Sequence, residues 1–505
     1  MVKNSRKIFV LGLDGVSWDQ LNPLMKEGVL KNLKSICAKG VSGRMESIIP
    51  PETVPAWFAI ATGLNPGKTG VFDYVNRTSR DSHAIVPLSP NCYSQRSIWD
   101  YLGKNGYEVG LFGYPTMSPP LEVQGFCVSG PDRSWEHPLA FPEGLEQELN
   151  DITGGYEDHI NLRNPKYRKN IDTFFTDLNR IIKKQCNAIK YLAEKKNWDF
   201  FFAVFTFTDW MEHMLCKYYD TSHPDHDPPA SREVLKKYHE TWAIIDEFIG
   251  ELKSMLSEET LMMIISDHGS GPVASAFYAN TWLERMGWLR KKRGWKQRVA
   301  GNLKLFDGKS HSRYGSRVFR ILRNRILKIK NIMDMIDVES SLAISPDHNV
   351  MAGCLHLTQA GKKIPGFRDK LVQELRELPQ KIDGIESVEI YLPEETYHGE
   401  CVGLSPDIIF AINKYGCTVE VDFNDKPFSA SPSLPWRSGG HAPMGIFIGS
   451  GDGVAPQTLE RLHILDMAPT ILAFYCVPVP ANMDGNARLS WVTPNQDRPC
   501  RSGSG

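Results

Sequence analysis

The segment Met262–Gly271 reads MMIISDHGSG, an apolar run that ends abruptly in a carboxylate, an imidazole and glycines. A buried strand has this pattern when its C-terminal end opens into the crevice where open α/β sheets hold ligands. Asp267 and His268 at such an end are either a salt-linked pair in a turn or two ligands of one divalent metal. Three other strand ends in the chain also terminate in Asp or His, and that repetition favours the metal.

Working outward, Lys7–Leu13 (KIFVLGL) is a first strand, closed by Asp14-Gly15. From Ser17 to Cys37 the apolar spacing is helical, with an interruption at Gly28. The run PPETVPAWFAIATG follows. Pro50-Pro51 forbids helix before it, and Pro55 suits the start of the next helix, so Thr53 lies just before a helix N-terminus. Thr53 is then either an N-cap or a nucleophile positioned where the helix dipole and free N–H groups favour a phosphoryl group. Trp57 and Phe58, one turn on, are either core or a stacking surface for a base or sugar.

Ser97–Leu102 and Glu108–Gly113 give a further helix and strand, and residues 115 to 165, rich in Pro and Gly, read as loops over the crevice. Asn170–Lys196 and Glu233–Met255 have amphipathic helical spacing. Between them Asp199–Phe207 (DFFFAVFTF) is a wholly apolar strand, followed by Asp209 and His213, which share a face if the segment turns helical. Strands resume at Asp407–Ile412 and Gly445–Gly449, with the loop histidine His441 beside Gly439-Gly440, and Ile464–Tyr475 closes as a helix. This β-α-β-α order is that of a parallel sheet wrapped on both faces.

Composition sets bounds rather than chemistry. The 505 residues are 41% hydrophobic and 23% charged, and 58 basic residues nearly cancel 59 acidic ones, so no global field argues for nucleic acid or membrane. The ten cysteines form no CxxC pair, and Ile8–Leu13 is too short for a signal h-region, so the thiols read as reduced and the protein as cytoplasmic. No stretch reaches the length of a membrane span. Between Leu289 and Lys330 there are fifteen Lys or Arg against the single acid Asp307, with an apolar stripe at Val318, Leu322, Ile326 and Ile329. That segment reads as an insert docking its stripe and leaving its charges in water, in preference to peripheral contact with an anionic surface. The expected organisation is a core over 1–288 with cap loops at 115–168, an insert over 289–398, core completion carrying His441 over 399–492, and a disordered tail over 493–505.

Collected, Asp14, Thr53, Asp209, His213, Asp267, His268 and His441 supply three carboxylates, three imidazoles and a hydroxyl from separate strand ends. That set suits two divalent ions with three protein ligands each, zinc first and manganese second. The acidic and imidazole run His223-Pro-Asp225-His226-Asp227 reads as a solvated rim rather than a third site.

The ordered series LDGV, ETVPAW with TGLNPGKTG after it, FTDWMEH, SDHGSG and SGGH resembles the alkaline phosphatase superfamily, and within it the type I phosphodiesterase/nucleotide pyrophosphatase group and its branch of predicted cytoplasmic phosphohydrolases or phosphomutases. The resemblance implies an alkaline-phosphatase-like sheet with helices on both faces. It also implies one metal on Asp209, His213 and His441, and another on Asp14, Asp267 and His268 beside Thr53. In such a site Thr53, activated by a bound ion, attacks phosphorus to give a phospho-threonine that water then releases. Relatives usually carry an asparagine after the TG segment to hold a phosphoryl oxygen. Here the run is TGVFDYVN, Thr69 replaces a histidine, and Tyr74 stands at the asparagine position as a weak candidate. TVPAW lacks the CxPxR of sulfatases, and the membrane helices of lipid phosphoethanolamine transferases are missing. The expected activity is hydrolysis of a small-molecule phosphate mono- or diester, nucleotide- or sugar-linked. A phosphomutase is the alternative on the same scaffold, and a non-catalytic anion-binding scaffold a distant third.

Overall fold

The computed structural model describes residues 6–77, 85–93, 96–131, 136–292, 332–346, 351–434 and 436–492. The tail from 493 and the stripe Val318, Leu322, Ile326 and Ile329 lie outside the described residues. The chain divides into two compact units, one of Met1–Asn76, Val86–Pro272 and Trp436–Gly505, the other of Arg77–Ile85 and Val273–Pro435.

The first unit is built on a nine-stranded, mostly parallel sheet. Its order is Gln457–His463, Val41–Glu46, Met444–Ser450, Leu261–Ile265, Ile8–Leu13, Phe200–Phe205, Val109–Tyr114, Gly125–Ser129 and Ala140–Phe141. Met444–Ser450 runs antiparallel to both neighbours, and Ala140–Phe141 is antiparallel at the edge. Alternation along Ile8–Leu13 splits the core. Phe9, Leu11 and Leu13 pack with Phe174, Leu178, Trp242 and Ile245 of the helices Ile171–Lys195 and Pro228–Met255. Ile8 and Val10 pack on the other face with Trp57 and Ile60 of Thr53–Thr62 and with Ile471 of Met467–Phe474. Because both faces are covered, the central strands are apolar throughout rather than alternating, which is why KIFVLGL, DFFFAVF and LMMII read as continuous runs.

Three expectations fail here. Residues 115 to 165 are not only loops, since Gly125–Ser129 and Ala140–Phe141 extend the central sheet and Leu145–Thr153 is a helix. Those strands are too short to carry a periodic signal. Asp407–Ile412 does not resume the central sheet. Ile408–Ile412 pairs instead with Gly353–Leu357 and Val388–Tyr391 in a seven-stranded sheet of the second unit, whose core gathers Phe277, Trp282, Leu371 and Phe410. A buried strand of a second domain has the same composition as one of the first, so periodicity could not separate them. Finally, not every thiol is reduced. Cys37, Cys92, Cys127, Cys186, Cys216 and Cys417 are free, but Cys476 is disulfide-bonded. No helix among the described residues is long and apolar enough to cross a membrane.

Candidate active site

Sheet register brings the candidates together. Ile8–Leu13 lies parallel between Phe200–Phe205 and Leu261–Ile265, with Leu13 opposite Phe205 and Gly12 opposite Ile265. The three strands therefore end level, and the residues just past each of them face the same crevice. Asp14 comes directly after the first strand. After the second, the chain turns into the helix Phe207–Tyr219, whose inner face carries Asp209 and His213 one turn apart. Asp267 and His268 come after the third. His441, expected on a loop, sits instead in the strand Gly439–Ala442, which pairs antiparallel with Gly269–Pro272 so that His441 is opposite Ser270. Thr53 is the first residue of Thr53–Thr62, and Glu52 rather than Thr53 takes the cap position.

Two glycines in the motifs are there for space. Gly15 has φ +71, and a Cβ on it would lie 3.0 Å from Asp209 Oδ1, while its N–H donates to Asp267 Oδ1 at 3.2 Å. A Cβ on Gly439 would collide with the Glu212 carbonyl, so only glycine lets this strand touch the Phe207–Tyr219 helix.

Each of the three histidines is oriented by the main chain. Nδ1 of His268 lies 2.9 Å from the Gly269 carbonyl, Nδ1 of His213 2.9 Å from that of Gly439, and Nδ1 of His441 3.0 Å from that of Pro51. A nitrogen facing a carbonyl oxygen carries the proton, which leaves each Nε2 turned into the crevice. His268 Nε2 is 3.3 Å from Thr53 Oγ1, 3.3 Å from Asp267 Oδ2 and 3.5 Å from Asp14 Oδ1. His213 Nε2 is 3.0 Å from Asp209 Oδ2, and His441 Nε2 is 3.4 Å from Asp209 Oδ1. The rings of His268 and His441 stack at 4.0 Å. Lone pairs aimed at carboxylates repel unless a positive charge, proton or metal, lies between them.

The residues fit that charge being metal. Asp14 Oδ1, Asp209 Oδ1, Asp267 Oδ2 and His441 Nε2 are buried with no hydrogen-bond partner, an expensive arrangement for a protein alone. Ligand atoms of Asp209, His213 and His441 lie within 4.8 Å of one another, as do those of Asp14, Asp267 and His268. Histidines whose second nitrogen is held by a carbonyl are the usual form of a metal ligand.

The electrostatics differ between the two groups. Burial, with Asp267 and Asp209 nearby, drives the Asp14 carboxyl well above its usual range, and burial pushes Asp267 up to about 8. Burial and the neighbouring His441 hold His268 well below the usual imidazole value. In the other group, burial would raise Asp209, but His213 and His441 outweigh it and hold that carboxyl well below its usual range. Burial opposes protonation of His441, yet Glu52 and Asp209 lift it to about 10.

Of the remaining candidates, Trp57 is core. It is fully buried, its ring meets Tyr114 and Phe202 edge-on, and its Nε1 donates to Asp14 Oδ2 at 3.2 Å, so it has no face for a substrate. Tyr74 is 43% exposed, with its N–H bonded to the adjacent Asp73 carboxylate. The His223–Asp227 run is not uniformly a solvated rim. His223 is buried and accepts the Asp225 N–H at Nδ1, closing a local turn, while Asp225 and Asp227 are exposed.

Three residues went unnoticed in the sequence. Glu52 Oε2 lies 3.4 Å from His441 Nδ1. Arg437 Nη2 lies 3.4 Å from His213 Nε2. Glu212 is fully buried between Asp209 and His213, bonded to Gln20 and Tyr219 and, at 3.0 Å, to Ser270 Oγ, and burial pushes it up to about 8. Only Glu212 carried a signal: an acid in FTDWMEH on the apolar side of a helix.

No curated protein matches the chain. Its structure is similar to that of human ectonucleotide pyrophosphatase/phosphodiesterase 5, with a TM-score of 0.52 at 13% identity over 96% of this chain and 98% of that one. The murine counterpart gives 0.49 at 14% identity with the same coverage. The family described as type I phosphodiesterase/nucleotide pyrophosphatase matches residues 8–412, which contain every candidate above except Arg437 and His441. The chain belongs to that family, within the alkaline phosphatase superfamily, and is a hydrolase of phosphoric ester bonds.

Proposed function

We propose that this chain cleaves a small-molecule phosphate ester with two divalent ions and Thr53 as nucleophile. Asp209, His213 and His441 would hold one ion, and Asp14, Asp267 and His268 the other. The observation that carries the proposal is the common orientation of three imidazoles, each with Nδ1 tied to a backbone carbonyl and Nε2 aimed at a buried carboxylate. Nitrogen and carboxylate ligands three to a site suit zinc, with manganese as the alternative. When bound, such ions lower the pKa of a hydroxyl or water and neutralise charge on the apical oxygens.

The chain's own part is positioning. Thr53 Oγ1, 3.3 Å from His268 Nε2, stands beside the Asp14 group and in the first turn of a helix, where the dipole favours a phosphoryl group. Its attack forms the Thr53 Oγ1–phosphorus bond as the ester oxygen departs. Water then breaks that bond and releases the phosphoryl group, regenerating the hydroxyl. Trp57 Nε1, on Asp14 Oδ2, and the Gly15 N–H, on Asp267 Oδ1, hold both carboxylates in place through the cycle. A nucleotide- or sugar-linked ester is the substrate class we favour. The cytoplasm is the compartment that goes with this reading. Free thiols such as Cys127 and Cys186 support it, and the disulfide at Cys476 weighs against it.

The test is Thr53→Ala in protein loaded with zinc or manganese. Turnover of an aryl phosphate ester should fall by about 10³-fold or more while metal analysis still finds two ions per chain. Full activity would remove Thr53 from its role, and wild-type protein that holds no metal would remove the two-ion site.

A further inference from the structure

The three imidazoles are not equivalent. Nδ1 of His268 and Nδ1 of His213 each meet a backbone carbonyl, and among the described residues their carboxylate contacts are all at Nε2. Nδ1 of His441 meets both kinds of acceptor, the Pro51 carbonyl at 3.0 Å and Glu52 Oε2 at 3.4 Å. Glu52 is 3% exposed, and its other oxygen, Oε1, is buried with no hydrogen-bond partner. Among the described residues its ion-pair partner is His441 alone. Glu52 occupies the cap position of Thr53–Thr62, yet its side chain caps nothing there. A buried carboxylate is costly, and neither a helix cap nor a surface ion pair accounts for this one.

We propose that Glu52 is a positioning residue, set behind His441 to strengthen the hold of the Asp209 corner on its ion and to tie that corner to the nucleophile. The inference rests on the two-ion reading of the same pocket. A carboxylate at the far nitrogen of a ligating imidazole fixes the direction of the ring and makes the nitrogen facing the ion more basic, so the ligand binds a cation more tightly. A carbonyl does the first of these. The second needs the negative charge, which only His441 has behind it. The corner it serves has one carboxylate, Asp209, for two rings, whereas the other has Asp14 and Asp267 for one. With Glu52 counted, each corner draws on two anions. The same residue begins the nucleophile's helix, since its carbonyl accepts the Ala56 N–H at 2.9 Å and Thr53 follows it directly. The ring of His441 thus leans on Pro51 and Glu52, the two residues that present Thr53. Through them the ion of the Asp209 corner is kept in register with a hydroxyl that lies beside the other ion.

The test is zinc affinity, measured on the full chain by competition with a chromophoric chelator, with wild type first shown to bind two ions. Glu52→Gln keeps the shape of the side chain and removes its charge. It should weaken one of the two zinc steps by about 10- to 100-fold and leave the other unchanged. Glu52→Asp, still charged and shorter by one methylene, should recover part of the loss. Added to Asp209→Asn, which already lacks that corner's ion, Glu52→Gln should not change the zinc affinity that remains. A residue that only fills space would leave Glu52→Gln at wild type, and that result overturns the inference. So does equal weakening of both steps, a further loss in the Asp209→Asn background, or Glu52→Asp that fares no better than Glu52→Gln. Wild type that binds fewer than two zinc ions overturns the two-ion reading itself, and does so before any variant is made.

Discussion

The two ligand groups hold the same kinds of residue and manage charge in opposite ways. Around Asp14, Asp267 and His268, burial keeps the acids protonated and the ring neutral, so without a cation that corner is close to uncharged. Around Asp209, His213 and His441, a depressed carboxylate faces an imidazole raised to about 10, so that corner holds an internal ion pair. The cause lies in their surroundings. The first corner packs acid against acid with a single ring. The second shares one aspartate between two rings and sets Glu52 behind His441. A cation entering the first corner displaces carboxylic protons; one entering the second displaces an imidazolium proton. The same ligand chemistry therefore gives two sites of unequal proton cost.

The largest effect that tests this contrast is loss of a ligand. Asp267→Asn should remove the ion beside Thr53 and lower turnover by about 10³-fold or more. Asp209→Asn should remove the other ion, and also leave His213 without its anion and His441 with Glu52 alone. Metal analysis of the two variants should find one different ion missing in each; loss of both ions from both variants would show that the corners are not separate.

The next effect is on stability against pH in metal-free protein. Asp267 and Glu212, both raised to about 8, hold protons in the fold that the unfolded chain releases above the usual carboxylate range. His441, raised to about 10, holds one that the unfolded chain releases above about 6.5. Between about pH 6.5 and 8 the native state therefore binds more protons than the unfolded state, and stability must fall as pH rises, by about 1.4 kcal/mol per unit for each proton of difference. Bound metal removes the Asp267 and His441 parts of that slope. Thermal unfolding at several pH values, with and without zinc, measures it, and a chelated protein that gains stability from pH 6.5 to 8 would contradict the assignment.

The smallest effect concerns what joins the corners. Glu212 sits on the helix that carries Asp209 and His213, and bonds Ser270, two residues beyond His268. Glu212→Ala should cost about 1–3 kcal/mol and loosen both ions together, whereas Glu212→Gln, able to keep most of the bonds, should stay near wild type. If alanine weakens only one ion, the corners are positioned independently.

These contrasts also mark how far the chain could be read unaided. Asp14, Asp209 and Asp267 were legible because each comes after an apolar run, and a polar group just past a buried strand stands out against its neighbours. Thr53 was legible from the prolines around it, although the cap position went to Glu52. Glu52, Glu212 and Arg437 were not, because each acts through a residue distant in sequence, and local pattern holds no trace of a contact such as Arg437 with His213. His441 stands out by its glycines but reads as a loop residue, since GGHA carries no strand propensity and becomes a strand only by pairing with Gly269–Pro272. The second unit's sheet was hidden for a related reason: its strands are as apolar as those of the first.

The pairing of Gly269–Pro272 with Gly439–Ala442 has a consequence for the order of assembly. The chain departs from this ribbon at Pro272 and rejoins it at Gly439, opposite the point of departure. A nascent polypeptide emerging from the ribosome thus owns every ligand of the Asp14 corner once His268 has been made, but must be extended through all of Val273–Pro435 before His441 exists to complete its neighbour. On the two-ion reading, the half-built chain could hold one ion only, and the second would have to wait until the long excursion has closed.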